Sequence, residues 1–420
     1  MSKGNSSRRR SAKGTGIGSL LLGIRQGLTP AAAVALVVAL GLALLAFMNA
    51  RVGVGLQLLP NTAVGAGFDP IRSRLSAIER RQVAPGFREQ AAAVHVAKAA
   101  LRQSPLNPRA LRVLAFADIQ SGRVDRAEAK MVMADRLSRR DGATQLWLAD
   151  RRGRQGRIGD ALRHIDVLLR TSPEATAPLL ERLAGALVLP EAREAIKPMM
   201  VADTPWIERF FAVAVDRSPS MAPLGELVAS LRKAPNVDRL EGSYASLVFR
   251  LAGEQQYDLM RRVYVKLPNA RAGDLYDVGL LSALDPKGYR PVIWDFGSRS
   301  DRGAAMIGSN EAEFFAMNDV RGVAASKAVF LKANGQSLSF RKKEGVAGDG
   351  AAAFWRVTCI LGREAKSFVQ SRNLLEVPNG TVLRVPFPAG CDAAQIEMIV
   401  DGAMRRDPTR LVLSDIGLSR

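Results

Sequence analysis

Small residues recur along the first half of the chain at a fixed offset of 34, and this spacing restricts the fold more than any other feature. Ala93, Ala127 and Ala161 are equally spaced, as are Gly122 and Gly156, and Leu114 and Leu148; Pro105 is matched by Pro173 two periods on. A period of this length marks stacked supersecondary units, each too small to bury its own apolar face. The residue types fit a helix-turn-helix. Glycine falls between two helical runs, alanine lets paired helices approach, and proline stops the second helix by removing an amide donor. Helical periodicity continues through 191–197, 206–215, 224–232, 244–251 and 256–265, with Pro190, Pro198, Pro205, Pro219, Pro235 and Pro268 between the runs. In WIERFFAVAVD, Trp206, Phe210, Phe211 and Val213 fall at the spacing of a helix packing into a core.

The units NPRALRVLAFADIQSGRVDRAEAKMVMADRLSRRD and GATQLWLADRRGRQGRIGDALRHIDVLLRTSPE resemble tetratricopeptide repeats, and the likeness extends over residues 88–200. Ala115 and Ala149 stand where glycine is usual, the usual tyrosine is absent, and Arg139 occupies the place of a proline. The resemblance implies a TPR-like α-solenoid spanning 74–285, with Ala93, Leu114, Gly122, Ala127, Leu148, Gly156 and Ala161 packing the repeats. Its concave face would then bind a peptide or another protein.

Ahead of the repeats, residues 31–49 (AAAVALVVALGLALLAFMN) carry no charge. At 1.5 Å per residue such a helix reaches roughly 28 Å, the thickness of a bilayer's hydrocarbon. Thr29 and Pro30 supply a local start. Residues 1–50 hold six Lys/Arg and no acid, and the first acidic residue is Asp69. By the positive-inside rule, residues 1–30 form a cytoplasmic basic tail. A cleaved signal peptide is the main rival, but the apolar run is longer than usual and Met48-Asn49-Ala50 matches a cleavage site poorly. A mitochondrial import sequence ranks third, since the Ala/Arg/Gly-rich chain has a bacterial character. The expectation is one transmembrane helix in a bacterial inner membrane, a linker over 50–73, and a periplasmic bulk.

From 286 the texture changes to short runs of β-branched and aromatic residues between Gly, Asn, Asp and Ser turns. PVIWDF, EAEFFAM, KAVFLKA, SLSFRK, AFWRVTCIL, KSFVQS, TVLRVPFP, AQIEMIVDG and RLVLSDIGL read as strands. Nine short strands predict an antiparallel β sandwich over 286–420, so the fold class is multidomain: anchor, helical solenoid, sandwich. PVIWDF, FWRVTC, VPFPAGCDAAQIEMIV and RLVLSDIGL resemble a jelly-roll or galactose-binding-like module. Trp294 and Trp355 are candidates for stacking on a sugar, with core packing as the bland alternative. Cys359 and Cys391 are the only cysteines. They form either one disulfide, as in an oxidising compartment, or two separate buried thiols.

Chemistry-bearing patterns are sparse. His95 and His164 are the only histidines, both in the repeats, which leaves no Ser-His-Asp set in the sandwich. Glu311 with Glu313, or Asp295 with Asp301, would be the pairs for a glycosidase. GAGFD and GVAGDG lack the Lys-Ser/Thr ending of a phosphate loop. Asp349 and Asp392 sit in no calcium-loop pattern, and neither cysteine has zinc-ligand spacing. No cofactor or metal is expected. The net charge of +20 is dispersed and aromatic residues make up 6% of the chain, which disfavours nucleic acid and suits an acidic surface or polymer. The combination reads as a membrane-anchored scaffold, without enzymatic activity, that binds proteins through its repeats and polysaccharide through its sandwich, in surface polysaccharide assembly or export. The alternatives are a cell-wall polysaccharide hydrolase or lyase, and a structural part of a secretion or division apparatus. Deleting residues 1–50 is expected to move the protein from the membrane pellet to the soluble fraction; a truncated chain that still sediments with membranes would locate the attachment elsewhere.

Overall fold

The computed structural model describes residues 70–82, 90–172, 176–280, 283, 287–297, 299–346, 348, 350–362, 367–402 and 408–419. The predicted cytoplasmic tail, the predicted membrane stretch 31–49 and most of the predicted linker lie outside these residues. Among the described residues, no helix is long and apolar enough to cross a membrane. The chain divides into two compact units, one up to Asp141 and one from Gly142 onward.

The first unit contains α1 (Pro70–Gln82), α2 (Gln90–Gln103), α3 (Pro108–Gln120) and α4 (Val124–Leu137). Its core is built from Leu75, Ile78, Ala93, Ala97, Ala100, Ala110 and Val113, and the small side chains bring the helices close together. Asn107 caps α3 by accepting from the Ala110 amide, and Pro108 sits in its first turn. Buried Arg112 donates to Glu79 at 2.9 Å and to Asp141 at 2.8 Å. Burial acts to raise the Asp118 carboxyl, but Lys130 and Arg123 outweigh it and hold it below the ordinary range.

The second unit begins with α5 (Gly142–Arg154), α6 (Ile158–Thr171), α7 (Thr176–Ala186), α8 (Pro190–Ile196), α9 (Ile207–Arg217), α10 (Ala222–Ser230), α11 (Glu241–Gly253) and α12 (Tyr257–Tyr264). The 34-residue period reappears in the backbone hydrogen bonds of two hairpins. Gly122 (φ 73°) and Gly156 (φ 71°) both turn the chain in the left-handed region. Gly122 N donates to Ile119 O and Arg123 N to Asp118 O; Gly156 N donates to Gly153 O and Arg157 N to Arg152 O, all at 2.8–3.0 Å. This is the Schellman closure of a helix. Ala127 is fully buried, and Leu148 and Ala161 are buried in their own hairpin. Leu114 is only half-buried.

A third copy of the turn joins α11 to α12. Gln255 N donates to Ala252 O at 3.0 Å and Gln256 N to Leu251 O at 2.8 Å, with Gln255 at φ 58° in the glycine's place. It stands 99 residues after Gly156 and carries a side chain, so neither the period nor the residue type betrays it.

Nine strands follow: β1 (Arg302–Gly308), β2 (Glu311–Ala316), β3 (Arg321–Phe330), β4 (Ser337–Val346), β5 (Ala352–Gly362), β6 (Phe368–Gln370), β7 (Val382–Pro386), β8 (Cys391–Asp401) and β9 (Thr409–Ser419). They form two antiparallel sheets, ordered β1-β2-β9-β4-β7 and β3-β8-β5-β6. Phe314, Phe340, Trp355, Ile396, Met398 and Leu411 from both sheets fill one core between them, as an antiparallel sandwich requires.

Eight of the predicted strands form and one does not. PVIWDF makes only a single bridge, Asp295 to Ser326, with Ala328 N donating to Pro291 O; Pro291 has no amide to extend a ladder. The first strand is instead RGAAMIG, whose Gly and Ala content hides it. The sequence-based boundary at 285/286 falls between the helical turn Ala272–Leu275 and the first strand at Arg302, whereas the compact units divide between Asp141 and Gly142. Tyr289, Val292, Phe330 and Ala393 belong to the core of the helices that precede them.

No Cβ placed on Gly122 or Gly156 would meet an atom within 4 Å, so alanine there tests backbone strain alone. Gly122→Ala and Gly156→Ala are each expected to cost about 1 kcal/mol in urea unfolding, while Gln255→Gly should match or exceed wild-type stability. A loss at 255 equal to that at the glycines would show that the third turn is held by its side chain.

Candidate binding surfaces

Period-two alternation fixes which side chains of the four-stranded sheet face the core. Ala353, Trp355, Val357 and Cys359 point inward from β5, and Ala394, Ile396, Met398 and Val400 from β8. Trp355 is fully buried at the hub of this core, with the Trp294, Phe314 and Phe340 rings 5.8–6.0 Å away. Trp294 is also buried, and its indole N–H donates to Val278 O at 3.1 Å. The two tryptophans are therefore not sugar-stacking platforms: their faces are spent on the core.

Cys359 and Cys391 are joined in a disulfide between β5 and β8. In the chain-entropy picture such a link is worth on the order of 3 kcal/mol.

The opposite face of the same sheet is different. Strand register places Ser326, Glu397, Arg356 and Gln370 in one row across β3, β8, β5 and β6, and Ala328, Gln395, Thr358 and Phe368 in the next. Arg356 is held over the sheet by Glu397, with nitrogen–oxygen distances of 2.7 and 2.8 Å. Gln395 and Thr358 are half-buried, and Phe368 is 61% exposed. At one end the face meets the helices, where Phe330 and Ala393 enter their core and Arg261 lies over the Phe330 ring. At the other end Phe354 and Ile399 are buried. What stays open is a short polar ladder with one aromatic ring. KSFVQS reads as a strand, and alternation with inward-facing Val369 is the signal that places the Phe368 ring outside.

The remaining sequence candidates are dispersed. Glu311 pairs with Lys343, Glu313 with Arg410, Asp295 with Arg290 and Asp301 with Arg302. His95 is exposed on α2, and His164 Nδ1 lies 2.6 Å from Gln145 Oε1. Asp392 is exposed near the start of β8, and Asp349 lies outside the described residues. Among the described residues, no three His, Cys, Asp or Glu come together as metal ligands.

No protein-family model matches the chain, and no curated protein matches it. Among solved structures it is similar to TmCBM61 in complex with beta-1,4-galactotriose, at 19% identity over 30% of this chain and 88% of that chain, with a TM-score of 0.21. It is also similar to a structure described for the promiscuous specificity of carbohydrate-binding modules from the beta-sandwich super family. That match has 10% identity over 26% of this chain and 46% of that chain, with a TM-score of 0.19. The sandwich is assigned on strand order and register.

Beneath the polar face lies a buried cation. Lys327 is fully buried, and its Nζ donates to Val292 O. Burial pushes its ammonium down to about 8, against the pull of Asp274 and Asp277. Lys342, donating to Leu375 O and Val377 O, is pushed down by burial as well. An unfolded lysine keeps its proton up to about pH 10.4. Between pH 8 and that value the unfolded chain thus binds more protons than the folded one, and stability rises with pH. Buried tyrosines act oppositely above about pH 10, where unfolded phenols ionise first; Tyr289 is pushed up to about 12 by burial and by Glu241. Urea unfolding should therefore show stability higher at about pH 9.5 than at about pH 7.5, by roughly 2 kcal/mol for Lys327 alone, and a smaller rise in Lys327→Met. An undiminished rise in that variant would assign the effect to other groups.

Proposed function

We propose that the protein is a membrane-tethered, non-catalytic binding protein of the bacterial envelope whose β sandwich holds a glycan on the outer face of β3-β8-β5-β6. One observation carries this reading. Two register rows present Arg356, Glu397, Gln395, Thr358 and Gln370 beside the exposed ring of Phe368. Hydroxyl-rich ligands are recognised by such a mixture, in which fixed donors and acceptors read the hydroxyls and an aromatic face covers the apolar side of the ring. The charge-free stretch 31–49 and the basic tail before it support the tether and the periplasmic placement.

The helices supply the partner-binding half of the proposal, as TPR-like hairpins that dock a protein of the same assembly, in polysaccharide assembly or export. An apolar groove of about 340 Å³ runs between α5 and α7, lined by Leu146, Leu168, Pro178 and Leu179, and Leu146 is left 47% exposed. The glycan reading is tested on the full chain in detergent by calorimetric titration with envelope polysaccharide fragments. Gln395→Ala and Phe368→Ala are expected to weaken binding about tenfold or more, since each removes on the order of 1.4 kcal/mol. Depolymerisation of the fragments would instead favour the hydrolase.

A further inference from the structure

We propose a second saccharide site, in the groove between α9 and α11, independent of the sheet face. It rests on the glycan reading above only for the class of ligand. The groove has a volume of about 470 Å³, within the range of small-ligand sites. Gly242, Ser243, Ser246, Phe249 and Arg250 line it from α11, at spacings that place them on one stripe of the helix. The opposite stripe, Tyr244, Leu247, Val248 and Leu251, is buried in the core, so of the lining residues on α11 only Arg250 is engaged in holding the helix in place.

Three features identify the ligand. Phe249 is 64% exposed at the rim, and an aromatic ring left in water beside a concavity offers a stacking face at little entropic cost. One and two helical turns' reach away, Ser246 and Ser243 offer hydroxyls to the groove, and the Asp216 carboxylate stands on the facing rim from α9. The set of one ring, two hydroxyls and one carboxylate matches a pyranose, which presents an apolar face and a belt of hydroxyls. It fits an amphipathic helix poorly, because glycine and serine line the α11 wall and only Ala212 and Val215 face them from α9, which leaves no row of apolar pockets.

The groove is also preformed. Arg250 donates to Ser218 O at 2.9 Å and to Val215 O, fastening the end of α9 to α11. Glu254, one turn on, accepts from the Met221 amide at 2.9 Å and from Ser220 Oγ at 2.8 Å, fixing the chain that leaves α9. The walls therefore do not have to be ordered on binding, which lowers its cost.

Gly242 makes the test clean. A Cβ there would meet nothing within 4 Å, and Gly242 sits in the first turn of α11, so Gly242→Gln fills the groove without opposing the helix. The full chain in detergent is titrated calorimetrically with cellotriose, beta-1,4-galactotriose and chitotriose. With at least one probe, the wild type should show two sites. Gly242→Gln and Phe249→Ala should each lose one of them, with affinity there falling tenfold or more, while Gln395→Ala retains it. A Gly242→Gln protein that titrates like the wild type with all three sugars overturns the proposal. So does a groove that gives no Gly242-dependent heat with sugars yet selects Gly242-dependent binders from a peptide library. If Gln395→Ala changes nothing while Gly242→Gln abolishes binding, the sheet face is the reading that falls and the groove stands.

Discussion

From Trp206 to Tyr289 six aromatic rings meet edge to face, and the second unit is organised around them. Trp206, Phe210, Phe211 and Tyr244 follow one another at centroid separations of 5.3–5.8 Å, and Tyr289 receives both Tyr244 and Tyr264 at 6.3 Å. Each such pair adds roughly 0.5–1.5 kcal/mol beyond the area it buries. The chain of rings starts in α9, crosses α11 and α12, and ends on the residue that leads into the sandwich. The tyrosine hydroxyls are satisfied inside the same core: Tyr244 donates to Pro235 O, Tyr289 to Pro268 O and Tyr264 to Asp274. The core of these helices therefore takes in Tyr289, Val292, Phe330 and Ala393 from the segment and strands that follow, beside the separate core of the sandwich.

That shared interior decides which surfaces remain. The helices cover one end of the four-stranded sheet through Phe330 and Ala393, leaving a ladder two residues deep. The groove of α9 and α11 is fixed by Arg250 and Glu254, which bond to backbone groups at the end of α9 and just beyond it. In both places a rigid frame presents one phenylalanine and a few hydrogen-bonding groups to solvent. Many of the sandwich's cations are meanwhile paired with carboxylates on neighbouring strands, as in Arg341 with Asp415 and Arg410 with Glu313. The recognition proposed for these surfaces rests on placed dipoles more than on net charge.

The helical hairpins and eight strands were legible in the sequence because periodicity reports burial, and burial is what the fold enforces. Gly122 and Gly156 were legible for a different reason, since a left-handed turn selects for glycine. The same turn at Gln255 was invisible, because its backbone bonds carry no residue signature. Trp294 and Trp355 show the limit for sites. A tryptophan in an apolar strand has the same local pattern whether it stacks on a sugar or on Phe340, and only the sheet that covers it decides. The disulfide was equally undetermined, since two cysteines 32 residues apart do not reveal that their strands are neighbours. β1 was missed and PVIWDF over-read for complementary reasons: small residues form a ladder when a partner is supplied, and proline prevents one despite strong propensity.

The position of β9 has a consequence for the order in which the molecule can assemble. It is made after every other described strand, yet it lies in the middle of its sheet, between β2 and β4. A chain emerging N-terminus first can complete the four-stranded sheet, but β1 and β2 have no edge to join to β4 until β9 arrives. The five-stranded sheet therefore closes only when β9 joins its two halves, a pairing of high sequence separation.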